Sequence, residues 1–153
     1  MRVLVSGVPA VGHVIPLLDL AQAMQSAGHE IRFATNLECH RLVVAAGLHP
    51  LDAGMGSVEM RDERRRRWPE TDRQPVSEWA TRMWAQIMAP STLQDLLPIV
   101  ADWQPHVLVH DEGDFAGPVA AAKAEIPWVT HAWGSPLRPI GELIELKVLL
   151  TSR

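Results

Sequence analysis

The sequence predicts an α/β domain built on a Rossmann-like parallel sheet with flanking helices, and three observations carry that prediction. Short β-branched runs alternate with stretches whose apolar residues recur at helical spacing. The runs are apolar almost throughout, as in strands covered on both faces. Glycines stand where the intervening helices should end.

"RVLVS" (residues 2–6) reads as the first strand. From Ile15 to Ala27, the residues Ile15, Leu17, Leu18, Leu20, Ala21 and Met24 keep helical spacing, Pro16 suits a first turn and Gly28 a C-cap. "EIRFAT" (30–35) gives strand two, "LECHRLVVAAG" (37–47) a helix closed by Gly47, and "LHPL" (48–51) a short strand three. Strands separated by helices imply parallel pairing through right-handed crossovers.

Residues 52–75 break this rhythm and are expected to form a long, mobile surface loop with at most a little helix. In it Arg64, Arg65, Arg66 and Arg67 read as a solvated face rather than an anion site, because Glu59, Asp62, Glu63, Glu70 and Asp72 offset them. "VSEWATRMWAQIMA" (76–89) is helical, with Ser77 as its expected cap and Trp79, Ala80, Met83, Trp84, Ile87 and Met88 as its apolar face. A second helix over 90–105 buries Leu93, Leu96, Leu97 and Val100, with a kink expected at Pro98. "HVLVHD" (106–111) is strand four, "FAGPVAAAKAE" (115–125) an alanine-rich helix, and "PWVTHAWG" (127–134) strand five running into a loop. After Gly134 the pattern frays into a short helix over Glu142–Leu150, and the half-sheet looks unfinished at Arg153.

With 153 residues, 47% of them hydrophobic, the chain is long enough for one core. A formal charge of -4 with no basic block argues against nucleic-acid binding. The lone Cys39 cannot form an internal disulfide, and the start "MRVLVSGVPA" has no signal-peptide core, so a cytoplasmic location is expected. No run nears the roughly 18 apolar residues of a membrane span.

Ligands of open α/β sheets bind outside the carboxyl ends of the strands. Three segments share that edge: the Gly7–His13 loop, the acidic stretch Asp111, Glu112 and Asp114, and the loop from His131 to Ser135. Gly7 and Gly12 have the glycine spacing of a phosphate loop, but His13-Val14 replaces its Lys-Ser/Thr. The dinucleotide fingerprint fails at Pro9 and Ala10, and strand two ends in Thr35-Asn36 with no carboxylate for a ribose. Neither ATP nor NAD is expected to bind.

His13 remains. At a helix start the positive end of the macrodipole opposes an imidazolium, and a general base must be neutral. It also needs a partner to fix its tautomer, and Asp111 ends strand four on the same edge. Residue by residue, the plainer alternatives stand beside this: His13 hydrogen-bonded to backbone, and Asp111 capping the next helix. No His or Cys pair has metal-site spacing, so no metal is expected. There is no Gly-x-Ser-x-Gly elbow for nucleophilic hydrolysis. Six tryptophans with no tyrosine suggest an aromatic wall; Trp79 and Trp84 read first as core, Trp133 as lining the binding edge.

"RVLVSGVPAVGHVIPLLDLAQAMQSAGHEIRFAT", "AAGLHPL" and "PHVLVHDEGDFAGPVAAAKAEIPWVTHAWG", in that order, resemble the amino-terminal domain of bacterial natural-product glycosyltransferases of the GT-B fold. The resemblance covers about residues 1 to 135 apart from the charged stretch. It implies that residues 1–153 form an acceptor-binding domain, the amino-terminal half of a GT-B enzyme, whose donor domain this chain lacks. It implies that His13 is the general base and Asp111 its support, in transfer with inversion from a TDP- or UDP-sugar to a hydroxyl of a hydrophobic aglycone. By the same resemblance Val11, Gly12, Met83, Trp84, Glu112, Phe115 and Trp133 would line the acceptor site. The nucleotide sugar would be a co-substrate, with no cofactor, and turnover would need a donor domain or partner chain. Two alternatives are the acceptor half of a lipid-linked N-acetylglucosamine transferase, and a non-catalytic ligand-binding or partner-regulating module on the same fold.

Overall fold

The computed structural model of the chain describes residues 1–132. Its strands are β1 (Arg2–Ser6), β2 (Glu30–Thr35), β3 (His49–Asp52), β4 (Val107–Asp111) and β5 (Trp128–His131). All pair in parallel, in the order β3-β2-β1-β4-β5. The helices are α1 (Val11–Ser26), α2 (His40–Ala45), α3 (Ser57–Arg67), α4 (Val76–Met83), α5 (Ala89–Trp103) and α6 (Ala116–Lys123). No helix among the described residues is long and apolar enough to cross a membrane.

The period-2 alternation of the strands splits the core in two. Val3, Val5, Ile31, Phe33 and Val109 join Val14, Leu17 and Ala21 of α1 and Val43 of α2 in one buried cluster. Leu4, Ala34 and Leu108 meet Leu96, Val100 and Trp103 of α5 and Ala116, Ala120 and Ala121 of α6 in a second. Both sheet faces are therefore covered, as the unbroken apolar strands require. Gly28 and Gly47 follow α1 and α2 at positive φ, 86° and 74°, and end them as expected from sequence.

Several expectations need correction. Helix α1 starts at Val11, not Ile15, so His13 lies in its first turn. Ser77 caps nothing: Pro75 precedes α4 and no side chain bonds to that helix start. The helices expected to part at Pro90 run on through a π-helical turn, Trp84–Met88, into α5, which holds Pro98 within it.

The largest correction concerns residues 52–75, which form α3 and a 3₁₀ segment, Pro69–Arg73, rather than a long loop. Glu59 stands in the first turn of α3 and the four arginines in its last, each charge suited to the helix dipole. Glu63 binds Arg66 at 2.7 Å and Arg67 at 2.6 Å, one turn apart. The arginines are thus paired, but not all solvated. Arg64 is buried, with its guanidinium 4.6 Å from the centre of the Trp79 ring. It donates to the Thr71 hydroxyl and, at 2.6 Å, to Asp72. That bond, with a weaker one from Arg65, holds the Asp72 carboxyl below its ordinary range. Arg82 stacks 3.8 Å over Trp68 and closes the layer.

Hydrogen bonds from Arg66 and then Arg67 hold the Glu63 carboxyl down to about 2, against 4.5 when unperturbed. Its contribution to stability is therefore present above about pH 4.5 and is lost as the pH falls through about 2. Acid titration followed by circular dichroism should show more loss over that window in the native chain than in Glu63→Gln, by a small, salt-sensitive margin because the pair is exposed.

Candidate active site at the switch point of the sheet

From β1 the chain winds outward through β2 and β3, then crosses back to lay β4 on the other side of β1. The strand order reverses between β1 and β4, the place where open sheets of this kind bind ligands at their carboxyl edge. β1 ends at Ser6, directly opposite His110, one residue before Asp111. The loop after β1 leads to α1 and His13; β4 ends in Asp111. Two residues 98 apart in sequence meet for that reason.

His13 Nδ1 lies 3.0 Å from Oδ1 and 3.0 Å from Oδ2 of Asp111. The Asp111 side chain is 1% exposed and that of His13 14%. An ionised carboxylate only accepts, so Nδ1 carries the hydrogen, which in a neutral imidazole leaves Nε2 as the unprotonated nitrogen. The plainer reading of Asp111 as a helix cap does not hold. Asp114 does that work, its Oδ1 accepting from the backbone N–H of Ala116 at 2.9 Å and of Gly117 at 3.2 Å.

Two glycines allow the pair to close up. A Cβ on Gly113 would come within 3.2 Å of both Asp111 Oδ2 and His13 Cε1, so the turn after β4 passes across the pair. A Cβ on Gly7 would press at 3.0 Å on Leu17 of α1. Sequence reasoning did not single out Gly113, and a glycine between two acidic residues at a strand end was the available signal.

Trp84 meets the His13 ring edge-on, with centroids 5.5 Å apart and planes at 73°. Behind it lies a third apolar cluster of Val8, Trp68, Met83, Ile87 and Met88, against which Met55, Met60, Trp79 and Trp84 pack. Trp84 is thus brought to the site, while Met83 is buried in the cluster behind it and Trp79 packs against that cluster. Val11 and Gly12 are exposed at the start of α1, with open space around Gly12. Glu112 and Phe115 are half-buried on the turn between β4 and α6. Trp133, Ser135 and the helix expected over 142–150 lie outside the described residues. Along α3 runs a groove of about 790 Å³ lined in part by Met55, Val58, Glu59 and Asp62; Met55 joins it to the cluster behind Trp84.

A five-stranded parallel sheet of this order, covered by helices on both faces, is Rossmann-like, and its likeness to solved glycosyltransferases makes it the amino-terminal half of a GT-B fold. The chain belongs to the family described as "Erythromycin biosynthesis protein CIII-like, N-terminal domain", whose model matches residues 22–145. That span includes Asp111 but not His13. The chain is similar to the L-demethylnoviosyl transferase of Streptomyces niveus, 32% identical over 95% of this chain and 38% of the relative. It is similar to elloramycin glycosyltransferase ElmGT of Streptomyces olivaceus, 32% identical over 100% of this chain and 41% of the relative. Among solved structures it resembles glycosyltransferase SnogD from Streptomyces nogalater, with 29% identity and a TM-score of 0.67 over 88% of this chain and 34% of the other. It also resembles SsfS6 of Streptomyces sp. SF2575, complexed with thymidine diphosphate, at 25% identity and a TM-score of 0.70 over 86% of this chain and 38% of the other. The chain thus spans about two fifths of the length of the curated relatives it matches.

Removing His13 leaves a buried carboxylate without its imidazole donor. His13→Ala should cost about 1–3 kcal/mol in denaturant unfolding. The double variant with Asp111→Ala should cost less than the sum of the two single changes, because each already breaks the shared bond.

Proposed function

We propose that this chain is the acceptor-binding half of an inverting glycosyltransferase that moves a sugar from a nucleoside diphosphate, TDP or UDP, to a hydroxyl of a hydrophobic natural product. The single observation that carries the reading is the buried Asp111 carboxylate, with both oxygens 3.0 Å from His13 Nδ1 beside the Trp84 ring. Relatives named as transferases of antibiotic sugars, and thymidine diphosphate in the related SsfS6 structure, support the substrate classes.

In this reading His13 Nε2 takes the proton of the acceptor hydroxyl. The oxygen then attacks the anomeric carbon from the face opposite the diphosphate, the carbon–oxygen bond to the phosphate breaks, and the nucleoside diphosphate departs. Asp111 steadies the imidazolium formed and fixes the reactive tautomer. Trp84, Met83 and Phe115, with the polar Glu112 and the open start of α1 at Val11 and Gly12, hold the aglycone. Methionine and tryptophan suit a flat, polarizable ligand of variable outline. The donor sits on a second domain, and the sugar nucleotide is a co-substrate rather than a bound cofactor.

Tryptophan fluorescence should respond to polyketide-type aglycones and not to TDP- or UDP-sugars, with the response reduced in Trp84→Phe. Tight binding of a sugar nucleotide by this chain would contradict the assignment. Completed with a donor domain, the protein should transfer sugar, and His13→Ala should lower kcat about 10²- to 10⁴-fold, the usual range for a lost general base. Transfer that survives His13→Ala would remove His13 from that role.

A further inference from the structure

The His13–Asp111 pair is backed by a second polar row on the other face of the same strand ends. Ser6, His110 and Thr130 stand opposite one another across β1, β4 and β5. Side chains in one row of a parallel sheet share a face, and the next residue along each strand takes the other. Asp111 accordingly faces α1, where its Cβ lies near the Cβ that Gly7 lacks, while His110 faces α6. A Cβ on Gly117 would lie 2.8 Å from His110 Cβ and 3.0 Å from Asp114 Oδ2, so α6 is seated directly on this row.

The hydrogen bonds in the row converge on Asp111. His110 Nδ1 faces the Asp111 carbonyl at 2.8 Å, and a carbonyl only accepts, so that nitrogen carries the hydrogen. In a neutral ring His110 Nε2 then accepts from the Thr130 hydroxyl, 2.8 Å away. The same Asp111 carbonyl accepts the backbone N–H of Asp114 at 2.9 Å. Ser6 donates its hydroxyl to Asp114 Oδ2 at 2.5 Å. Ser6, His110, Asp111 and Asp114 are all buried.

The placement of the Ser6–Asp114 bond gives it a role beyond capping. Ser6 ends the strand whose loop carries His13, and Asp114 belongs to the turn that follows Asp111. The bond thus straps together the two strand ends that support the pair. His110 and Thr130 fix the Asp111 main chain from the neighbouring strand.

We propose that Ser6, Asp114, His110 and Thr130 are positioning residues: they hold the Asp111 carboxylate at hydrogen-bond distance from His13 Nδ1 and thereby keep His13 in its Nδ1–H tautomer. This rests on the reading of His13 as the base. None of the four touches the reacting atoms; they act through the position of one carboxylate.

The test reads the tautomer in the chain itself, by long-range ¹H–¹⁵N correlation of the histidine rings, with His13 identified by the signals lost in His13→Gln. The native chain should show Nδ1–H at His13, and Asp111→Ala should move it towards Nε2–H. Ser6→Ala and Thr130→Val should each raise the Nε2–H form several-fold while the amide spectrum keeps its dispersion, and Ser6→Thr, which retains the hydroxyl, should restore the native pattern. Thr130 is exposed on β5, so its replacement leaves the core intact and provides a readout if Ser6→Ala unfolds. Native tautomer ratios in both Ser6→Ala and Thr130→Val would overturn the positioning role while leaving the base reading in place. An Nε2–H tautomer in the native chain, or no response to Asp111→Ala, would overturn both.

Discussion

The in-register pairing of β1 with β4 places residue 6 beside residue 110, and everything distinctive in this domain hangs on that adjacency. Had β4 been laid at the far side of β3, His13 and Asp111 would stand three strand spacings apart, roughly 14 Å. The long excursion through α3, α4 and α5 is what allows the chain to return to the centre of the sheet. The switch point of the sheet is then a consequence of topology, and the residues that happen to end β1 and β4 become the floor of the candidate site.

That floor carries buried polar groups, which cost stability unless each finds a partner. The two carboxylates on the β4 side are treated differently. Asp114 is satisfied by two backbone N–H groups and the Ser6 hydroxyl, and burial still pushes its carboxyl above the ordinary range. Asp111, equally buried, turns its oxygens to the His13 imidazole. One acid completes the fold, and the other is held available to a histidine. The apolar cover over the pair comes from the layer anchored by Arg64 and Arg82 on the Trp79 and Trp68 rings, so the charged stretch and the site are parts of one assembly.

Much of this was legible in the sequence. The strand and helix order and the terminating glycines follow from patterns within about 20 residues of each position, whereas His13 and Asp111 were each open to a plainer local reading and only the family resemblance gave them paired roles. What was not legible depended on partners far along the chain or on competition between local signals. Residues 57–67 looked like a solvated charge run because Arg64 finds its burial only against Trp79, Thr71 and Asp72, on segments that the local pattern does not join to it. Ser77 had the right chemistry for a cap, but Pro75 sets the helix start two residues earlier. Asp111 had the right chemistry for a cap, but the turn through Gly113 brings Asp114 to the start of α6 instead.

Gly113 shows how tightly packing and chemistry are bound together here. Because the turn after β4 passes so near the His–Asp pair that a Cβ on Gly113 would crowd both side chains, that flank of the pair is closed by the chain's own backbone. Trp84 covers the imidazole edge-on from the helical layer. The ring is therefore constrained by a carboxylate, a backbone turn and an indole together, each supplied by a different part of the chain. A histidine so held has little freedom to rotate about χ2, and the entropy of aligning it is lost on folding rather than on binding a ligand. The π-helical turn that begins at Trp84 belongs to the same logic: an irregular stretch of helix sets an aromatic ring against the His13 imidazole.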